Sequence, residues 1–304
     1  MKWDCEIAGV SFQNPVIAAS GTYGFGREFA QFYDIGLLGG ISVKGLTLKP
    51  RQGNAAPRIA ETPAGMLNAV GLQNPGIDHF IAHDLPWLAA QNTTIIANIA
   101  GNTVEEYVEM ARRLQGTAVD MIELNISCPN VKHGGIQFGV DPAAIAEVTA
   151  AVKSVSGQPL MVKLSPNVSN IAQNALAAQQ AGADALSLIN TLTGMAVDLH
   201  TRRPLLANVT GGLSGPAIKP VALRMVYEVC QAVDVPVVGM GGIMNAMDVA
   251  EFMLCGARAV MVGTANIANP LAIPGILKEL EQWMCAQGIA DMSDWVGALE
   301  RDNT

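Results

Sequence analysis

Residues 160–165 read Leu-Met-Val-Lys-Leu-Ser, a short run that is apolar at both odd and even positions until Lys163 interrupts it. Successive side chains of a strand point to opposite faces. A run that is apolar on both parities is therefore buried on both faces, the condition of a strand inside a parallel sheet. Seven further runs have the same character: 15–20 (PVIAAS), 40–45 (GISVKG), 94–100 (TIIANIA), 121–127 (MIELNIS), 185–190 (ALSLIN), 236–241 (PVVGMG) and 259–264 (AVMVGT). Helical patterns separate them at 104–114, 142–155, 170–181, 218–232 and 246–255. Asp141-Pro142 is a good helix start, an Asp cap followed by Pro at the first helical position. Gly182 and Gly256 stand where helix C-caps belong. Eight strands, each followed by a crossover, predict an α/β fold of the (β/α)8 TIM barrel kind with extended loops at the C-terminal face of the strands. An open doubly wound sheet is the competitor, but it usually carries a G-x-G-x-x-G turn after its first strand, and Gly24-Phe25-Gly26 is only a fragment of one. Residues 1–304 read as a single barrel domain, with N-terminal strands at about 3–14 capping the barrel bottom.

Composition narrows the function. Charged residues are 14% of the chain, against a usual ~25%, and apolar residues are 50%. That surplus fits a deeply buried sheet and surfaces covered by partners. A net charge of −8 offers no positive field to nucleic acid or anionic lipid. No run of ~18 uninterrupted apolar residues exists for a membrane helix, and Met1-Lys-Trp-Asp-Cys-Glu lacks the basic-then-apolar pattern of a signal peptide. Cys5, Cys128, Cys230, Cys255 and Cys285 form no C-x-x-C pair, so zinc, an iron–sulfur cluster or a disulfide framework is not expected. A reduced, cytoplasmic setting follows.

The ends of the strands carry the chemistry. They bring Ser20, Lys44-Gly45, Asn98, Asn125, Lys163, Asn190-Thr191, Gly241-Gly242 and Gly263-Thr264 towards one rim. Barrel interiors are normally Val, Ile or Leu, and a buried polar group without a partner costs ~1–3 kcal/mol. One such residue is explained by internal hydrogen bonding; several converging on one rim imply a polar, planar ligand. Glycines after strands seven and eight, with a helix starting at Asn245, mark the usual phosphate site of barrels. Three loops are longer than a barrel needs, at 47–75, 128–140 and 191–216, and long ordered loops are usually functional. Cys128 lies in the second, followed by Pro129 and near Lys132, His133 and Gly134-Gly135, surroundings that can support a thiolate. Cys5, Cys230, Cys255 and Cys285 are expected to pack, and His79, His83, His133 and His200 show no metal spacing.

These stretches resemble the class 1 dihydroorotate dehydrogenases, and more closely the class 1B, NAD-linked catalytic subunit. The resemblance is carried by ASGTYGFG (19–26), SVKGLT (42–47), NAVGLQNPG (68–76), ELNISCPNVKHGG (123–135), VKLSPN (162–167), NTLTGMAVD (190–198), GGLSGPAIKPVALRMV (211–226), GMGGI (239–243) and VGTA (262–265). The N-x-S-C-P-N signature is its specific part. The Lys-x-Gly-Gly tail and the Gly-x-Tyr-Gly-x-Gly stretch favour class 1B over the fumarate-linked class 1A.

The resemblance implies FMN across the top of the barrel, held by Ser20, Lys44, Gly45, Asn98, Asn125, Lys163, Ile189, Gly215, Gly241, Gly242, Gly263 and Thr264. It implies dihydroorotate gripped by Lys44, by Asn68, Ala69, Val70, Gly71 and Leu72, and by Asn125, Asn190 and Thr191. Cys128 would remove the C5 proton while the C6 hydride goes to the flavin, yielding orotate for pyrimidine synthesis. The electrons would leave to NAD+ through a second subunit carrying FAD and an iron–sulfur cluster, in a heterotetramer built on a homodimer of this chain. The alternatives are a fumarate-linked enzyme, another flavin barrel acting on pyrimidines, or a non-redox phosphosugar barrel.

Overall fold

The computed structural model describes residues 1–126 and 139–300. Eight parallel strands close into a barrel. In chain order they are β1 (Val16–Ala18), β2 (Gly40–Ser42), β3 (Thr94–Ile99), β4 (Met121–Asn125), β5 (Leu160–Lys163), β6 (Ala185–Leu188), β7 (Val237–Met240) and β8 (Ala259–Val262). Each strand pairs with the next in sequence, and β8 closes on β1 with Met261 opposite Ile17. The eight apolar runs thus become the eight barrel strands, and the (β/α)8 expectation holds.

Period-two alternation sorts each strand into two cores. Outward residues such as Ile41, Ala97, Leu124, Val162, Leu186 and Val260 pack against the helices. Inward residues Ile17, Ile96, Met121, Met161, Val238 and Met261 fill the lower barrel. An antiparallel hairpin, Cys5–Ile7 with Val10–Phe12, adds Ile7 and Phe12 to that inner cluster. Gly40 makes room for it: a Cβ there would stand 3.0 Å from the Phe12 ring.

The helices Val104–Leu114, Pro142–Lys153, Ile171–Gln180, Lys219–Cys230 and Ala246–Leu254 lie where the sequence pattern places them. Asp141 accepts from the N–H groups of Ala143 and Ala144 as an N-cap should. Gly182 and Gly256 have φ of +98° and +110° at the helix ends. The first crossover departs from the repeat, with only the 3-10 turns Phe29–Gln31 and Ile35–Leu37. Two of the long loops are also more ordered than loops. Ile59–Thr62, Gly65–Asn68, Leu192–Met195 and Thr210–Ser214 join into a four-stranded antiparallel sheet. Met66 and Ile59 of this sheet stand on the wall of the cavity at the barrel mouth.

Candidate active site

A cavity of about 250 Å3 opens at the C-terminal ends of the strands. It is built by the same alternation that builds the core. On β4, Leu124 faces the helices, so Glu123 and Asn125 face inward; on β5, Val162 faces out and Lys163 in. Asn98 follows from Ala97 on β3, and Ser187 from Leu186 on β6.

The structure brings most of the expected residues to this one cavity. Ser20, Lys44 and Gly45 line it from the first two strands. Asn125 and Lys163 line it from β4 and β5, and Ile189, Asn190 and Thr191 from the end of β6. Asn68, Val70, Gly71 and Leu72 come in from the small sheet and the turn after it. Gly215, Gly241, Gly242, Gly263 and Thr264 complete the opposite wall. Two residues stand off the lining. Asn98 is fully buried one layer below, and Ala69 packs with Leu67 and Leu206 behind the small sheet. Cys128, with Lys132, His133 and the glycine pair, lies outside the described residues.

The glycine wall differs from expectation in one respect. The helix Ala246–Leu254 caps its own N-terminus: Asn245 accepts from the N–H groups of Met247 and Asp248, while Asp248 accepts from those of Met244 and Asn245. Those donors are spent on the capping box, so this helix end is not an anion seat. The backbone before it is what approaches the cavity. Gly241 and Gly242 have φ of +129° and +77°, and a Cβ on Gly242 would meet Lys219 Cβ at 2.8 Å and Gly215 O at 2.9 Å. Glycine is required on both counts. Across from them, Gly263 begins the helix Thr264–Ala268 with no side-chain cap.

Beneath the cavity lies a group that the strand-end reading passed over. Glu123 is fully buried, and its carboxylate accepts from Ser42 Oγ at 2.6 Å, Asn98 Nδ2 at 2.5 Å and Ser187 Oγ at 2.7 Å. Lys163 Nζ stands 4.0 Å from its Oε1. Asn125 Nδ2 in turn donates to Asn98 Oδ1 at 3.3 Å. A lone acid on a strand apolar at both parities was the signal available in MIELN.

The other thiols separate from one another. Burial pushes Cys5 up to about 12, helped by Asp4, and pushes Cys230 up to about 12 as well. Cys285 is exposed on Ala272–Gln287, which corrects its assignment to packing: it sits on the solvent side of an amphipathic helix. His79 and His83 sit together on a short helical segment, with His79 Nδ1 3.3 Å from Asp84. Among the described residues no three metal-ligating side chains converge.

Fold and site together define a (β/α)8-barrel protein whose mouth holds a cavity lined by two lysines, several side-chain amides and a glycine wall. Residues 3–284 match the family profile described as dihydroorotate dehydrogenase, and the chain belongs to that family. It is 58% identical to the dihydroorotate dehydrogenase B (NAD(+)), catalytic subunit, of Trichlorobacter lovleyi, over 97% of each chain. It is 57% identical to the protein of that name from Anoxybacillus flavithermus, over 96% of this chain and 94% of that one. The Geobacter sp. protein of the same name is 59% identical over 97% of each. Membership implies a flavin cofactor. Among the described residues no helix is long and apolar enough to cross a membrane.

Proposed function

We propose that this protein oxidises dihydroorotate to orotate with FMN as its flavin, and that NAD+ is the final acceptor through a separate subunit. The observation that carries the reading is the placement of Lys44, two residues past β2, and Lys163, at the end of β5, in one cavity that also holds Asn68, Asn125 and Asn190. Lysines suit a carboxylate and an electron-rich ring edge, and amides both donate to and accept from an imide.

The residues present fit FMN. Gly241-Gly242 and Gly263-Thr264 form a wall in which bare backbone reaches the cavity, as a phosphate requires. Ser20, Gly45, Ile189 and Gly215 would border the ring system, with Lys163 at its electron-rich edge and Asn98 supporting from below. When bound, FMN supplies the acceptor for the C6 hydride. Lys44 would pair with the substrate carboxylate, while residues 68–72 with Asn125, Asn190 and Thr191 would hold the ring and exclude water.

Cys128 is the proposed base for the C5 proton. In the sequence it follows Asn125, a residue of the cavity wall, by three positions. Proton and hydride leave neighbouring carbons, so the product gains the ring double bond and the charges balance.

The printed names of the relatives, each a catalytic subunit linked to NAD(+), support the class 1B reading over a fumarate-linked one. The word subunit in those names also supports a separate partner, to which the proposal assigns FAD and an iron–sulfur cluster. Met195, at the end of a strand of the small sheet, and Val197 and Leu199 just beyond it are exposed apolar residues, which supports burial against a second copy or that partner. The deciding experiment is an absorbance spectrum of the purified protein before and after dihydroorotate. Bound FMN that bleaches on addition is the expected result. A colourless protein that takes up no FMN, or a flavin that stays oxidised, refutes the reading. Adding the second subunit and following NAD+ reduction tests the rest.

A further inference from the structure

Glu123 has no part in the chemistry above, yet it is the centre of the polar interior. A carboxylate only accepts hydrogen bonds, whereas a carboxamide does both, and which edge a carboxamide offers is set by its neighbours. Glu123 Oε2 takes the Asn98 amide, so Asn98 must turn its NH2 to the acid and its carbonyl away. That carbonyl receives Asn125 Nδ2, so Asn125 must in turn face its NH2 to the core. Ser42 and Ser187 complete the hydrogen-bond donors on the acid, and the residues around it, Ser42, Asn98, Ser187 and Lys163, are all buried. With the neighbours of the acid so little exposed, a flipped amide would set two acceptors against each other.

We propose that Glu123 is a positioning residue that sets the polarity of the chain Glu123–Asn98–Asn125, so that Asn125 presents its carbonyl edge on the side away from Asn98 and reads an N–H of the ligand ring. The proposal rests on the dihydroorotate reading for the identity of that ring. It assigns to an acid in the barrel core the choice between donor and acceptor on a wall two residues away.

The test uses FMN-loaded protein, with orotate binding followed by the change it makes in the flavin spectrum. Glu123→Gln keeps the shape but lets residue 123 donate, so both asparagines are released to flip. The expected result is orotate binding weakened ~10-fold or more, the effect of losing one buried hydrogen bond to the ligand. Asn98→Leu keeps the charge of Glu123 and cuts the chain, and is expected to weaken binding similarly. The double swap Glu123→Gln with Asn98→Asp puts an obligate acceptor back beside Asn125, and is expected to recover most of the lost affinity.

Wild-type affinity in Glu123→Gln, or in Asn98→Leu, overturns the proposal, as does a swap protein no better than the single variant. If Glu123→Gln alone melts at room temperature, the swap is compared with wild type directly, and a ~10-fold deficit there overturns it equally. Failure of the wild-type protein to hold FMN, or to respond to orotate, is a different result: it removes the functional reading on which the ligand ring depends.

Discussion

The inward positions of β7, β8 and β1 and those of β2 to β6 lie at the same height in one barrel, but they are made of different matter. The first group is apolar throughout, with Val238, Met240, Ala259, Met261, Ile17 and Ala19 in one cluster. The second is polar from its middle upward, with Ser42, Asn98, Glu123, Lys163 and Ser187 all buried. Below them, Ile96, Met121, Met161 and Ala185 return the same strands to the apolar core. The apolar side is held by packing, which tolerates small changes of shape. The polar side is held by reciprocal hydrogen bonds, in which removal of one member leaves another buried and unsatisfied. In the proposed function, ligand chemistry belongs to the polar side, and the glycine wall above the apolar side would give the ligand backbone to lie against.

The widest gap between the two sides should appear in turnover. Cys128 follows β4, on the polar side, and Cys128→Ala is expected to retain FMN and lose ~100-fold or more in kcat, the usual worth of a positioned base. Steady-state assays beside a flavin count would show it, and near-normal turnover would remove Cys128 from that role. Next in size is Lys163→Met. It leaves Glu123 buried without its nearby cation, and should cost about 3 kcal/mol in urea unfolding, the low end for a broken buried pair because three hydrogen bonds to the acid survive. A loss under ~1 kcal/mol would show that the pair contributes no more than an exposed one. On the apolar side, Ile17→Val should cost only about 1 kcal/mol by the same measurement, with FMN affinity unchanged. If it matched the Lys163 variant, the contrast between the sides would fail.

The smallest effect concerns the barrel's other end. Cys5 packs against the lower inner cluster and Cys230 ends a helix, each pushed up to about 12. Their protons are held more tightly folded than unfolded. Their contribution to stability is therefore complete below the ordinary thiol range near 8.5 and is lost as pH rises through that range towards 12. At pH 8 iodoacetamide should label Cys285 in the folded protein and leave these two unmodified; prompt labelling of Cys5 would show that its pocket opens.

How much of this was legible beforehand follows from the range of the forces involved. All eight strands were readable because burial on both faces leaves a local mark, as in LMVKLS and AVMVGT. The small sheet was not readable: Gly65–Asn68 and Thr210–Ser214 are short, and they pair across more than 140 residues, Asn68 with Gly212. Nothing near either segment in sequence announces that partner. The helix Ala272–Gln287 was legible only as the setting of Cys285, without bounds, although its pattern is local. Among site residues, Lys44, Asn125 and Lys163 announced themselves as polar interruptions at strand ends. Glu123 sat one step deeper, where the motif around it drew attention to Asn125 and Cys128 instead. The expected anion seat at Asn245 failed because a helix start can be identified from sequence, while the partners already occupying its N–H groups cannot.

The hairpin under the barrel has a consequence for traffic. With Ile7 and Phe12 wedged into the inner cluster and Gly40 pressed against the Phe12 ring, the lower end is shut. Among the described residues the lower end offers no way through, so a ligand that arrives at the mouth leaves by the mouth. Product and substrate then share one door and one resting place. The rhythm of the enzyme is that of a single-berth harbour, where each departure must precede the next arrival and a crowd of finished product outside slows every exchange.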